Sequence, residues 1–414
     1  MIPIVSLINY VFQGLVHSIL SPVFLIVLLI VYIQNKKTAG LEYKILGRHR
    51  VTIARQMLVD LVYGIAAGFV GSVLVVVLGI TIETTGFLYI WPVAILLMLI
   101  NPRYICFSYA GGLLSLCYLA FGVPKIDVPG LIALIGILHF MESLLILMSG
   151  YLNSLPIILD NKDYGHVGAF TMRRFWPIPI IILMMSTGNM AGGDVIQMPD
   201  WWPLIRPESL IDDSNTVFLM VSVVAALGYG DIAVTRPPKE RCRQSAIFLC
   251  LYSTALIVAA YLATRIAGFE WVAAALAPVG HELLILHGIK TEERGKPLFY
   301  PVDEGLRVLD TMPGSAAEEM GIGQGDIILA INGRKVHSID GMNDILQNFP
   351  TYVWIDVVDV KGRYKTYDIK KYPDGINSLG AFIVPKSGVR TVKMKKPVSP
   401  LLRIIRRMAS KRSH

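Results

Sequence analysis

The chain has 414 residues, 54% hydrophobic and only 16% charged, with a mean hydropathy of +0.57. A soluble domain carries roughly 25% charged residues, so disorder, a disulfide scaffold and an ordinary cytosolic enzyme are excluded and an integral membrane protein is expected. The net charge of +8 is uneven: from Lys290 onward there are 21 Lys and Arg against 14 Asp and Glu, and the first 289 residues hold the remaining 17 and 16. This shift predicts a polytopic membrane part over 1–289, a soluble domain over 290–387 and a basic tail over 388–414.

A transmembrane helix needs about 20 mostly apolar residues. In chain order, eight runs meet or approach that: 18–33, 58–82, 87–100, 104–123, 131–150, 175–190, 216–234 and 246–266. The sixth opens with Pro177 and Pro179, which leaves its start loosely defined. A ninth run, 271–289, contains Pro278, Gly280, His281 and Glu282, and either spans, re-enters or lies at the interface. The expected fold class is a polytopic α-helical membrane domain of eight or nine spans plus a small α/β domain. No positively charged segment precedes the first run and no small-residue cleavage site follows it, so no cleavable signal peptide is expected.

Orientation is read from Lys and Arg in short connections. The alternate connections 34–56, 101–103, 151–174 and 235–245 carry 14 of them, and the opposite set carries only Lys125, Arg206 and Arg265. The first set is expected to be cytoplasmic. The segment 191–215 is acidic and aromatic, as suits the outer face. Eight spans would put the C-terminal domain outside and nine would put it inside; Lys290, Arg294 and Lys296 after the ninth run favour nine and a cytoplasmic domain.

The soluble domain shows strands at 307–310, 327–331, 354–360 and 364–369, turn dipeptides at Gly325-Asp326 and Asn332-Gly333, and a short helix over 338–348. The string PGSAAEEMGIGQGDIILAINGRKV (313–336) is similar to the signature of bacterial PDZ domains, and Ser378-Leu379-Gly380-Ala381-Phe382 resembles their carboxylate-binding loop in the circularly permuted order. PDZ domains bind an extended peptide as an added strand and often capture its C-terminal carboxylate. The resemblance implies a groove bounded by Leu379, Gly380, Ala381, Phe382 and Ile383, with Met342 and Ile345 of the helix opposite. The alternative is that these are core residues of a PDZ-like fold.

Ionisable residues inside membrane runs are functional candidates. His139 and Glu142 are i, i+3 neighbours in the fifth run and share a helix face; they read as a buried packing pair or as part of a proton or ion path that Asp60, Glu83 and Asp231 could extend. His281-Glu282 in an apolar run beside a PDZ domain resembles site-2 intramembrane metalloproteases. That chemistry needs a second His at i+4, whereas residue 285 is Ile and His287 lies on another face. The segment 153–160, ending in Asp160, is only a loose echo of that family's second ligand segment. His281 and Glu282 are therefore expected to satisfy backbone groups where Pro278 and Gly280 break the helix. Gly228-Tyr229-Gly230-Asp231 lacks the context of a potassium filter. Cys106, Cys117, Cys242 and Cys250 sit singly, without CxxC spacing, and read as core or lipid-facing residues. No metal, cofactor or nucleic-acid partner is expected.

The tail places Leu401, Leu402, Ile405 and Met408 opposite Arg403, Arg406, Arg407 and Lys411, which suits an interfacial helix on anionic lipid; the alternative is a solvated basic tail. The string WPVAILLMLINPRYICFSYAGGLLS (91–115) and the RRFWP string at 173–177 resemble the MinJ family of Gram-positive membrane proteins, which bridges the polar coiled-coil protein DivIVA to the division inhibitor MinD. That resemblance implies a non-enzymatic scaffold in division-site placement or polar organisation, with DivIVA-like or MinD-like protein partners. Two other classes stay open: a site-2-like protease using His281 and Glu282, and a transporter using His139 and Glu142 with a regulatory PDZ domain.

Overall fold

The computed structural model describes residues 3–187, 196–205 and 216–386; the basic tail and most of the acidic 191–215 segment lie outside the described residues. The membrane part begins with α1 (Ile4–Ile19) and α2 (Pro22–Leu46). The first apolar run therefore does not form one helix. Ser21 caps α2, accepting the Phe24 N–H, and Pro22 occupies its first turn, where a proline sacrifices no helical hydrogen bond. There follow α3 (Ile53–Leu78), the short strand β1 (Thr81–Ile82), α4 (Thr84–Ile100), a 3₁₀ turn (Pro102–Ile105), α5 (Phe107–Phe121) and α6 (Val128–Ser149). Among the described residues five helices are long and apolar enough to cross a membrane: α2, α3, α6, α7 (Pro238–Ala263) and α8 (Phe269–Arg294). α1, α4 and α5 contribute shorter apolar stretches. The 15 residues of α5 reach about 23 Å at about 1.5 Å per residue, short of a hydrocarbon core of about 30 Å. α6 is buried along most of its length and packs on α3, α5, α7 and α8.

The sixth and seventh apolar runs are strands, not helices, and this corrects the expected all-helical membrane domain. β2 (Leu155–Asn161), β3 (Gly165–Thr187) and β4 (Thr216–Ala233) follow α6. β3 and β4 pair antiparallel from Phe170 opposite Ala233 to Thr187 opposite Thr216. β2 pairs with the start of β3 and β1 with Leu183 and Met184. β-branched residues cluster in the middle of the pair, at Ile178, Ile180, Ile181, Ile182, Val221, Val223 and Val224, and these favour extended backbone.

Unpaired backbone polar groups are costly in an apolar surround, and among the described residues the middle of β3 has no strand on the edge that faces α3. The sequence resolves this in two ways. Pro177 and Pro179, two apart and so directed to the same edge, have no N–H to satisfy, and the next N–H on that edge, from Ile181, donates to Ser72 Oγ at 2.9 Å. α3 approaches closely because Gly64 and Gly68 face this edge; a Cβ at either would collide with the Pro177 or Pro179 carbonyl oxygen.

A charged network sits between α2, α3 and β3. Arg174 and Asp60 are both fully buried and their Nη2 and Oδ1 atoms lie 2.6 Å apart. Asn35 Nδ2 donates to Asp60 Oδ2 at 2.8 Å, and Gln56 Nε2 donates to Asn35 Oδ1 at 3.3 Å. Asp231, read as a possible extension of an ion path, is instead paired with Arg241 at 2.9 Å.

The soluble domain comprises β5 (Leu306–Thr311), α9 (Ala316–Met320), β6 (Ile327–Ile331), β7 (Arg334–Lys335), α10 (Ile339–Leu346), β8 (Tyr352–Val358), β9 (Tyr364–Lys370) and β10 (Ala381–Ile383). Its sheet runs β10-β5-β6-β8-β9, with β7 beside β6. It packs on the end of the membrane part that carries the α2–α3 connection. Arg50 pairs with Asp310 at 2.5 Å and Arg48 donates to the Pro313 carbonyl at 2.9 Å. Beneath them Leu46 and Leu155 cluster with Met312, flanked by Leu41, Ile45 and Phe382. Gly168 N–H donates to Phe299 O at 2.8 Å, joining the base of β3 to the linker.

Candidate peptide groove and intramembrane histidine cluster

The PDZ-like end of the chain is held by backbone hydrogen bonds. Ser315 caps α9, and the loop before it grips the 379–380 segment: Met312 N–H donates to Gly380 O at 2.8 Å and Ala317 N–H to Leu379 O at 2.9 Å. Gly380 has φ +67°, and a Cβ there would strike the Ser315 side chain, so both conformation and space demand glycine. The chain then enters β10, which pairs with β5 on one side and ends the sheet on the other.

The side chains named from sequence divide into three groups. Leu379, Ile383 and Met342 are buried in the domain core, with Ile345 and Ala381 half-buried against it. Gly380 contributes backbone only. Phe382 turns to the membrane domain, against the Leu46, Leu155 and Met312 cluster. A separate concavity of about 410 Å³, lined by Leu329, Ala330, Lys335, His337, Asp356 and Thr366 among others, includes none of these residues.

In the membrane part, the structure brings together the two polar pairs that the sequence holds 142 positions apart at their histidines. α8 runs unbroken through Pro278 and Gly280, so the expected helix break is absent, and His281 and Glu282 face other side chains, not freed backbone groups. The helix tolerates Pro278 because Gly112 of α5 leaves room for its ring, and the neighbouring Ala277 carbonyl accepts the Tyr252 hydroxyl at 2.6 Å. The rings of His139 and His281 lie 5.1 Å apart. Between them sits Cys106, at the N-cap of α5, with Sγ 3.2 Å from His139 Nε2 and 3.7 Å from His281 Nε2. Ser108 Oγ is 3.3 Å from His139 Nε2 and 2.9 Å from the Tyr252 hydroxyl. Glu142 Oε2 is 4.0 Å from His139 Nε2. Glu282 is occupied elsewhere, by Arg103 at 2.6 Å and the Tyr109 hydroxyl at 2.7 Å. Asp160 pairs with His166 at 2.9 Å.

Sequence reading found both histidines and missed Cys106, Ser108 and Tyr252. Cys106 lies 33 and 175 residues from its two histidine neighbours, so no local spacing signals the cluster; only the packing of α5, α6 and α8 against one another assembles it.

The family model described as PDZ domain matches residues 307–358. Over 259 residues the chain is 22% identical to the cell division topological determinant MinJ of Bacillus subtilis (strain 168), a match covering 62% of this chain and 62% of that protein. The chain thus matches somewhat less than two thirds of that relative's length. Among solved structures, the PDZ domain of the SdrC-like protein from Listeria monocytogenes is 19% identical, with 20% of this chain and 92% of that chain covered and a TM-score of 0.17. The chain is similar to MinJ over part of its length, and it joins several apolar helices to a C-terminal domain that the PDZ family model matches.

Proposed function

We propose that this protein is a membrane-anchored adaptor of cell division that captures an extended or C-terminal peptide of a cytoplasmic partner in its PDZ domain. The observation that carries the reading is that, among the described residues, β10 pairs on one edge only in a domain whose 307–358 segment the PDZ model matches: an incoming strand has backbone groups to pair with, Gly380 and Ala381 lead into that edge, and Ile345 of α10 is half-buried against the domain core. Main-chain pairing supplies affinity and the flanking side chains supply selectivity. The similarity to a division determinant favours partners that mark or regulate the division site, DivIVA-like or MinD-like in kind. The PDZ domain is cytoplasmic in this reading, because it contacts Arg48 and Arg50 of the most basic connection and basic connections are retained in the cytoplasm. The basic tail adds contact with anionic lipid, and no catalysis is assigned.

The test is fluorescence anisotropy of purified protein in detergent with C-terminal peptides of cytoplasmic division proteins. Ile345→Lys is expected to weaken the bound peptide at least about tenfold with the unfolding temperature preserved, and Gly380→Val to abolish binding. A folded Ile345→Lys variant with wild-type affinity, or a wild-type protein that binds no peptide above a scrambled control, refutes the groove.

A further inference from the structure

Cys106, His139 and His281 bring three metal-ligating side chains to one point among the membrane helices. His139 Nδ1 lies 2.9 Å from the Ile135 carbonyl; a carbonyl only accepts, so Nδ1 carries the ring proton and Nε2 presents a lone pair. Tyr252 spends its only hydroxyl proton on the Ala277 carbonyl and must receive that of Ser108. Ser108 Oγ therefore also turns a lone pair to His139 Nε2. The thiol of Cys106 can offer one hydrogen to two imidazoles. His281 Nδ1 is buried without a hydrogen-bond partner. Such a convergence is costly in a membrane interior unless a cation binds it.

We propose that Cys106, His139 and His281 bind a zinc ion. The ligand atoms of Cys106, His139 and His281 all lie within 4.8 Å of one another, and the two Sγ–Nε2 distances, 3.2 and 3.7 Å, bracket the separation of about 3.5 Å that Zn–S and Zn–N bonds at a tetrahedral centre require. A thiolate and two imidazoles form a borderline donor set suited to zinc. The Nδ1–H of His139, held on a backbone carbonyl, is the outer-shell contact that orients a metal-binding histidine. Three protein ligands make the site, and the fourth position of a tetrahedral centre is open beside Glu142, whose Oε2 lies 4.0 Å from His139 Nε2. The site ties α5, α6 and α8 together, and α8 leads directly into the PDZ domain. Glu282, engaged by Arg103 and Tyr109, is not available as a base beside the metal.

The test uses the full chain purified in detergent. Elemental analysis is expected to find about one zinc per chain, and Co²⁺ exchanged into the site is expected to give tetrahedral d–d absorption with a thiolate-to-metal charge-transfer band. Cys106→Ser is expected to remove that band and His139→Ala to weaken zinc at least about a hundredfold, beyond what loss of an outer-shell contact costs. Should Cys106→Ser fail to fold, a variant with Cys117, Cys242 and Cys250 all changed to Ser must keep the band. A metal-free protein that takes up neither zinc nor cobalt in equilibrium dialysis, or a band lost in the triple variant, overturns the site.

Discussion

Asp359 closes the β8–β9 turn almost alone. Its Oδ1 accepts the N–H groups of Lys361 and Arg363 at 2.9 and 3.0 Å, and its Oδ2 meets Arg363 Nε at 2.8 Å and Lys365 Nζ at 3.2 Å. The backbone hydrogen bond from Arg363, joined by those from its side chain, Lys365 and Lys361, holds the carboxyl well below the usual carboxylate range. A folded pKa below an unfolded value of about 3.9 stabilises the fold fully above that value, and the contribution is lost as pH falls through the folded pKa. Asp359→Asn is therefore expected to lower the unfolding temperature of the PDZ domain at neutral pH, with the gap to wild type starting to narrow only as the pH falls below about 3.9. A gap independent of pH would show that charge is not the cause. At this scale the sequence was legible wherever a motif is local: Gly380 and the 313–336 string predict their turn and strands, since each acts through neighbours in the chain. Cys106 was not, because its partners arrive from two other helices and one helix face cannot announce another.

The element that departs furthest from expectation is the β3–β4 hairpin. A continuous apolar run does not by itself distinguish a buried strand from a buried helix, and a length near that of a span favoured the helix. The contrary signals were present in combination: Pro177 and Pro179 two apart, a β-branched stretch after them, and Gly64 and Gly68 on a separate run with the spacing of a helix face. Each acquires meaning only with its partner, since the glycines seat the helix on the edge that the prolines leave without N–H groups. The same element anchors Arg174 on Asp60. Removing one member of a buried ion pair leaves an uncompensated charge, which typically costs about 3–5 kcal/mol, whereas replacing both by apolar residues is often neutral. Asp60→Asn is expected to lower thermal stability in detergent strongly, and the double variant Asp60→Leu/Arg174→Met to recover most of the loss. A double variant no better than the single one would mean that the pair acts through something other than its charge.

Across the whole molecule, exchanging two expected helices for a hairpin leaves the course of the chain unchanged. β3 runs away from the basic end and β4 returns to it, as the pairing of Phe170 with Ala233 requires, so α7 starts at the end where α6 finished. The PDZ domain then meets the basic α2–α3 connection through Arg50–Asp310 and the Leu46, Leu155 and Met312 cluster. The adaptor reading depends on that end facing the cytoplasm. The decisive measurement is a pair of reporters fused after His414, green fluorescent protein and alkaline phosphatase, in living cells. The expected result is a fluorescent fusion and an inactive phosphatase. An active phosphatase with a dark fluorescent fusion would put the PDZ domain outside the cell and contradict the account.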